Sequence, residues 1–144
     1  MIENDTVKLL RECDAGVRMG VSSIDEVLHS VHGDALRGTL TECRDAHDKL
    51  GCEIRALLDE CHDDGKSPSP MAQSMAHLKT SLRLASDDSD KTIADLMTDG
   101  CNTGVKSLSR YLNQYKAASE QSKDIAKRLI GLEERLATDV RAYL

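Results

Sequence analysis

The chain has 144 residues, which suits one domain and leaves no room for a scaffold plus a separate catalytic domain. With 19 Lys and Arg against 25 Asp and Glu, the formal charge of −6 excludes the basic surface that a nucleic-acid partner needs. No Trp, no Phe and only 3 Tyr exclude base-stacking platforms and aromatic cages.

No apolar run reaches the ~18 residues of a membrane span, and the opening MIENDTVK does not read as a signal peptide. Five Cys without CxxC spacing fit reduced thiols, so a cytoplasmic location is expected. An apolar share of 40%, a charged share of 31% and only 2 Pro favour helices over strands.

The first predicted helix covers about 5–31, with a stripe of Leu10, Cys13, Val17, Gly20, Ile24, Leu28 and Val31. Gly33 suits the position after its end, and Asp34 the next N-cap. The second covers about 35–63. Its stripe runs Leu36, Leu40, Cys43, His47, Leu50, Ile54, Leu57 and Cys61, alternating gaps of four and three. Gly65 is expected to end it. The third covers about 70–85, opened by Ser69 and Pro70, with Met71, Met75, Leu78, Leu82 and Ala85 on one apolar face.

The fourth predicted helix covers about 90–116, with Ile93, Met97, Gly100, Gly104, Leu108, Tyr111 and Tyr115. The fifth runs from about 119 to the C-terminus, with Ile125, Leu129, Leu132, Leu136, Val140 and Tyr143. Four long helices of roughly 40 Å each point to an all-α four-helix bundle, with the short third helix as a crossover between two hairpins. Between Tyr115 and Ile125 stands neither Gly nor Pro, while Ser119 offers a cap. A bend there gives the bundle. Its absence gives one helix of about 55 residues in an extended coiled coil.

This helix order resembles the small bacterial ferritin-like domains of unknown function. The local likeness lies in Cys13-Asp14-Ala15-Gly16-Val17, and in Asp99-Gly100-Cys101 followed by Tyr111. The resemblance implies an up-down-down-up bundle and carries no known activity with it. Iron-binding members use one Glu from each of two helices and Glu-x-x-His from each of the other two. Here the second helix reads Glu42-Cys43-Arg44-Asp45-Ala46-His47, which is Glu-x-x-Asp. Glu133 and Glu134 are followed three residues on by Leu136 and Ala137, and Gly100 and Cys101 stand where a Glu is wanted. The di-iron set is absent.

Among other groupings, Glu26, His29 and His32 have metal-ligand spacing but flank core positions and should face outward. Asp59 and His62 repeat that spacing at the opposite end. Cys43, Cys52 and Cys61 are nine apart, and nine residues turn a helix by about 900°, so Cys52 points away from the other two. Asp87, Asp88 and Asp90 are expected to cap a helix. The mixed charges around Glu133 and Glu134 read as a solvated face.

His47 is the most informative residue, because it occupies a core-stripe position at mid-helix. The expected layer at its level holds Met19 and Gly20, Cys101 and Gly104, and Gly131 and Leu132. Glycines inside helices cost about 1 kcal/mol each against Ala, so this layer implies close approach or open space. One reading is a hydrogen-bonded core histidine. The other is a transition-metal or redox-thiol site of His47, Cys43 and Cys101, short of a closed zinc set.

No nucleophile motif or phosphate loop is present. The sequence therefore reads as a non-catalytic structural or interaction module without a cofactor, pairing with a second copy or another protein, and not with nucleic acid or membrane.

Overall fold

The computed structural model describes residues 4–144, and the first three residues of the N-terminal stretch lie outside it. Five α-helices and a terminal 3₁₀ turn form the chain: α1 Asn4–Leu28, α2 Asp34–Glu60, α3 Pro70–Ser86, α4 Asp90–Gln114, α5 Glu120–Asp139 and η1 Val140–Tyr143. The protein is all-α among the described residues, and no helix is long and apolar enough to cross a membrane.

α4 and α5 are separate helices. The Ser119 hydroxyl accepts the Ser122 N–H and caps α5, while Ala118 is buried in the turn. Of the two readings of this joint, the structure has the bend. The turn is tied to the start of α1, because Ser119 N–H donates to Thr6 Oγ1 at 2.8 Å and Ala117 N–H to Asp5 at 3.1 Å.

The boundary between α1 and α2 differs from expectation. α1 ends at Leu28, and Gly33 has φ −82° and ψ 134°, so it is an extended N-cap of α2 and not a left-handed C′ residue. The N–H groups of His32 and Gly33 both donate to the Asp90 carboxylate at 2.9 Å. Asp90, expected to cap its own helix, instead fastens the start of α4 to the α1–α2 turn. The N-cap of α4 is Ser89. α2 stops at Glu60, earlier than Gly65 suggested, and His62 takes the left-handed conformation at φ 56°.

α1 packs along α2, and α4 along α5. α5 also contacts α1 and α2, and α1 contacts α4. The core has two parts. One is built on Leu9, Val17, Leu50, Ile54, Ile125 and Leu129, the other on Ile24, Leu36, Leu40, Ile93, Met97 and Leu136. On α2 the buried residue near the end is Leu58 rather than Leu57. A straight helix drifts ~20° per heptad against a strict seven-residue repeat, so three heptads move the inner position toward the next residue.

α3 departs most from its pattern. None of its residues is buried, and Met71, Met75, Leu78 and Leu82 point to solvent. Near its end half-buried Leu84 packs on the core, and along the rest of its length it meets α1 and α4 through polar contacts. His77 Nδ1 meets Glu26 Oε1 at 2.6 Å, Arg83 meets Asp95 at 2.7 Å, and Lys79 meets Asp99 at 3.5 Å. The loop before α3 is anchored more firmly. Asp14, completely buried on α1, accepts from Arg18 and from the Lys66 backbone N–H at 3.0 Å. Arg18 also reaches Ser67 at 3.0 Å, and Lys66 pairs with Glu12 at 2.5 Å. Gly65, at φ 84°, brings its Cα so close to Asp14 that any side chain would collide.

Asp14→Ala strips the loop of its acceptor and leaves the facing N–H and guanidinium without a partner. We expect a loss of about 2–4 kcal/mol in urea unfolding. Limited proteolysis should show earlier cleavage within residues 61–69.

Candidate functional site

Between the two halves of the core lies a polar layer, one residue from each long helix. His47 of α2 is 1% exposed, and the side chain of Glu133 of α5 is 12% exposed. His47 Nε2 lies 3.0 Å from Glu133 Oε1. Nδ1 lies 2.8 Å from the Cys43 carbonyl oxygen, one turn back on α2. A carbonyl and a carboxylate only accept hydrogen bonds, so both ring nitrogens donate and the ring is an imidazolium. Burial disfavours that charge, but the hydrogen bonds to Cys43 and Glu133 prevail and push the His47 pKa up to about 10.

The glycines complete the layer. A Cβ on Gly20 of α1 would sit 2.7 Å from His47 Cδ2 and 2.8 Å from Nε2. A Cβ on Gly104 of α4 would sit 3.3 Å from the Glu133 carboxyl carbon and Oε2. Gly20 therefore makes room for the imidazole and Gly104 for the carboxylate. Gly100 and Gly131 do not share this role, because a Cβ on either meets nothing within 4 Å.

Of the layer expected at His47, Gly20, Gly104 and Cys101 border the imidazole or the carboxylate, whereas Gly131 is exposed and Glu133 takes the inward place on α5. Glu133 is not part of a solvated face. It stands four residues after buried Leu129 and three before buried Leu136. Spacing to those two leucines was the signal for an inward carboxylate. Apolar periodicity favoured the neighbouring Leu132, which is only half-buried.

The structure brings His47, Cys43 and Cys101 into one neighbourhood. Cys43 Sγ is 3.5 Å from His47 Nδ1, and Cys101 is buried beside Glu133. Burial, reinforced by the Glu133 carboxylate, raises the Cys101 thiol pKa well above its usual value, which disfavours the thiolate a metal requires. Cys43 and Glu133 meet opposite edges of the imidazole, so one ion cannot sit on both sides of the ring. Among the described residues, no group of three His, Cys, Asp or Glu is set to hold a metal. The donor set fits a hydrogen-bonded ion pair.

The other groupings are dispersed. Glu26 pairs with His77 of α3, and His32 lies 3.8 Å from Asp88. Cys52 is exposed, Cys43 and Cys61 are half-buried, and all five thiols are free. Burial, with Glu12 and Asp14 adding to it, pushes Cys13 up to about 12.

A cavity of about 530 Å³ opens between α1, α3 and α4, and both His47 and Glu133 reach its wall. Comparison with protein-family models, curated proteins and solved structures finds no match.

Three outcomes follow for stability. His47 holds its proton more tightly folded than unfolded. Its contribution is therefore complete below its ordinary pKa of 6.5 and is lost as pH rises toward about 10. Urea midpoints of the wild type should fall across that window, and those of His47→Leu/Glu133→Leu should fall less. His47→Leu alone strands a buried carboxylate and should cost about 3–5 kcal/mol, while the double variant stays within about 1–2 kcal/mol of wild type. Gly20→Ala should destabilise by about 1–3 kcal/mol despite better helix propensity, whereas Gly100→Ala should stabilise by about 0.5–1 kcal/mol. Thermal unfolding of that glycine pair separates close approach from open space.

Proposed function

We propose that this chain is a ferritin-like bundle acting as a non-catalytic protein-interaction module that self-associates through α3. The topology reading rests on where the helix ends meet. α4 begins beside the α1–α2 turn, and the α4–α5 turn sits at the start of α1. α1 and α5 then run one way and α2 and α4 the other, an up-down-down-up order with α3 as crossover.

The observation that carries the function is the outward stripe of α3. Met71, Met75, Leu78 and Leu82 are 74%, 66%, 59% and 62% exposed. A contiguous apolar patch of this kind marks an association surface, unlike scattered single residues. Its gaps of four, three and four are those of a heptad seam, which accepts another helix bearing the same seam. A second copy supplies that helix, and two copies of one stripe form an isologous contact. The proposed occupant is therefore α3 of a second chain.

Sedimentation equilibrium over about a hundredfold concentration range tests this by mass action. The wild type should dimerise or assemble further, and Met75→Glu/Leu78→Glu should be monomeric with unchanged helical circular dichroism, because neither side chain is buried. A wild type that stays monomeric at the highest concentration overturns the reading.

A further inference from the structure

The cavity beneath α3 has no role in self-association, because the α3 stripe faces the other way. We infer that it is a binding site for a neutral, largely apolar small molecule bearing one O–H or N–H donor, recognised by the Glu133 carboxylate.

Size and lining come first. About 530 Å³ lies within the ~300–1,000 Å³ usual for small-molecule sites. Met19, Ile24, Met97, Leu108, Leu129 and Leu136 supply apolar wall. The two methionines add adaptable, polarisable surface suited to apolar ligands of varied shape.

The space is maintained by residue choice. Protein interiors are close-packed and leave few voids wider than a water molecule. Here α3 turns Ala72, Ala76 and Thr80 to the cavity while Met71, Met75, Leu78 and Leu82 point outward. Across from it, Gly100 also lines the space, and a Cβ there would meet nothing within 4 Å. No contact in the fold requires glycine at that position. A side chain would improve helix propensity, and its absence keeps the cavity open.

The polar end selects the head group. Glu133 uses Oε1 to accept from His47, while Oε2 lies against the bare Cα of Gly104. The imidazolium cancels the carboxylate charge, so the pair offers an acceptor without net charge. Elsewhere in the lining Lys66 pairs with Glu12 and Lys79 with Asp99, so at the Glu133 end an anionic head would face a carboxylate, and a cationic head would bring charge to a pair already neutral. A hydroxyl or N–H donor matches what remains. The cavity opens to solvent beside Ala72 and Gly100, so a ligand can enter there without α3 leaving the bundle.

N-phenyl-1-naphthylamine is a suitable probe: neutral, apolar, with one N–H and a fluorescence that rises in apolar surroundings. Titration of the full chain should saturate at one probe per chain. 1-Decanol should displace it at about tenfold lower concentration than decanoate or decylamine, about 1.4 kcal/mol of discrimination. Gly100→Leu and Ala76→Phe, which grow side chains into the space, should weaken binding by at least about tenfold while keeping wild-type circular dichroism. Met75→Glu/Leu78→Glu should bind the probe as the wild type does while losing self-association, so this proposal and the preceding one fail separately. No saturable binding by the wild type overturns the inference. So does undiminished binding by both filled variants, or loss of binding only with the outward stripe. Equal displacement by decanol and decanoate overturns the assignment of the head group.

Discussion

The bundle depends on one buried ion pair. His47 and Glu133 lie between two separate apolar clusters, where an unpaired charge is costly. Apolar side chains on either side tolerate small slides of one helix along another, because leucine packs on leucine at many offsets. The pair does not. Sliding α5 along α2 by one turn, about 5.4 Å, would bury an imidazolium and a carboxylate without each other. The interaction thus sets the register between the two hairpins while contributing little net stability compared with apolar side chains in the same place.

The rest of the layer follows from fitting that pair into a helical bundle. An imidazole is broader than an aliphatic side chain at the same depth, so α1 gives way at Gly20 and α4 at Gly104. Backbone on those two helices is thinned where α3 crosses them. α3 fills little of the resulting space, because its inward residues are small. The cavity is therefore a geometrical companion of the ion pair, and the pair becomes its polar end. Cys43 and Cys101 border the same layer, Cys43 against the imidazole and Cys101 beside the carboxylate.

α3 differs in kind from the four long helices. They hold each other through buried leucine, isoleucine and valine, each worth roughly 1.5–3 kcal/mol. α3 is held by surface polar pairs, by half-buried Leu84 near its end and by the loop that Asp14 and Arg18 pin to α1. Its attachment is thus strongest at the start, and polar pairs and Leu84 hold the rest while one face covers the cavity and the other is exposed.

Much of this was legible from the residues. Helical periodicity and sparse turn residues located all five helices to within a few positions, because each long helix must bury one stripe. His47 stood out for the same reason, as a polar residue inside an apolar stripe; Gly20 fell at its level by counting along 1.5 Å rises, and Gly104 by the topology that the resemblance implied. What the sequence could not assign was direction and partnership. Glu133 and Leu132 are adjacent on α5 and both fit the spacing to Leu129 and Leu136, and the position of His47 across the bundle selects the carboxylate. The α3 stripe repeats like a buried one, yet Met71, Met75, Leu78 and Leu82 point to solvent while Ala72, Ala76 and Thr80 face the cavity. Asp14 became buried because a loop more than fifty residues later folds back to donate to it. Local pattern determines that a face is apolar or a position is internal. Which surface is opposite is decided only when distant segments compete for the same space.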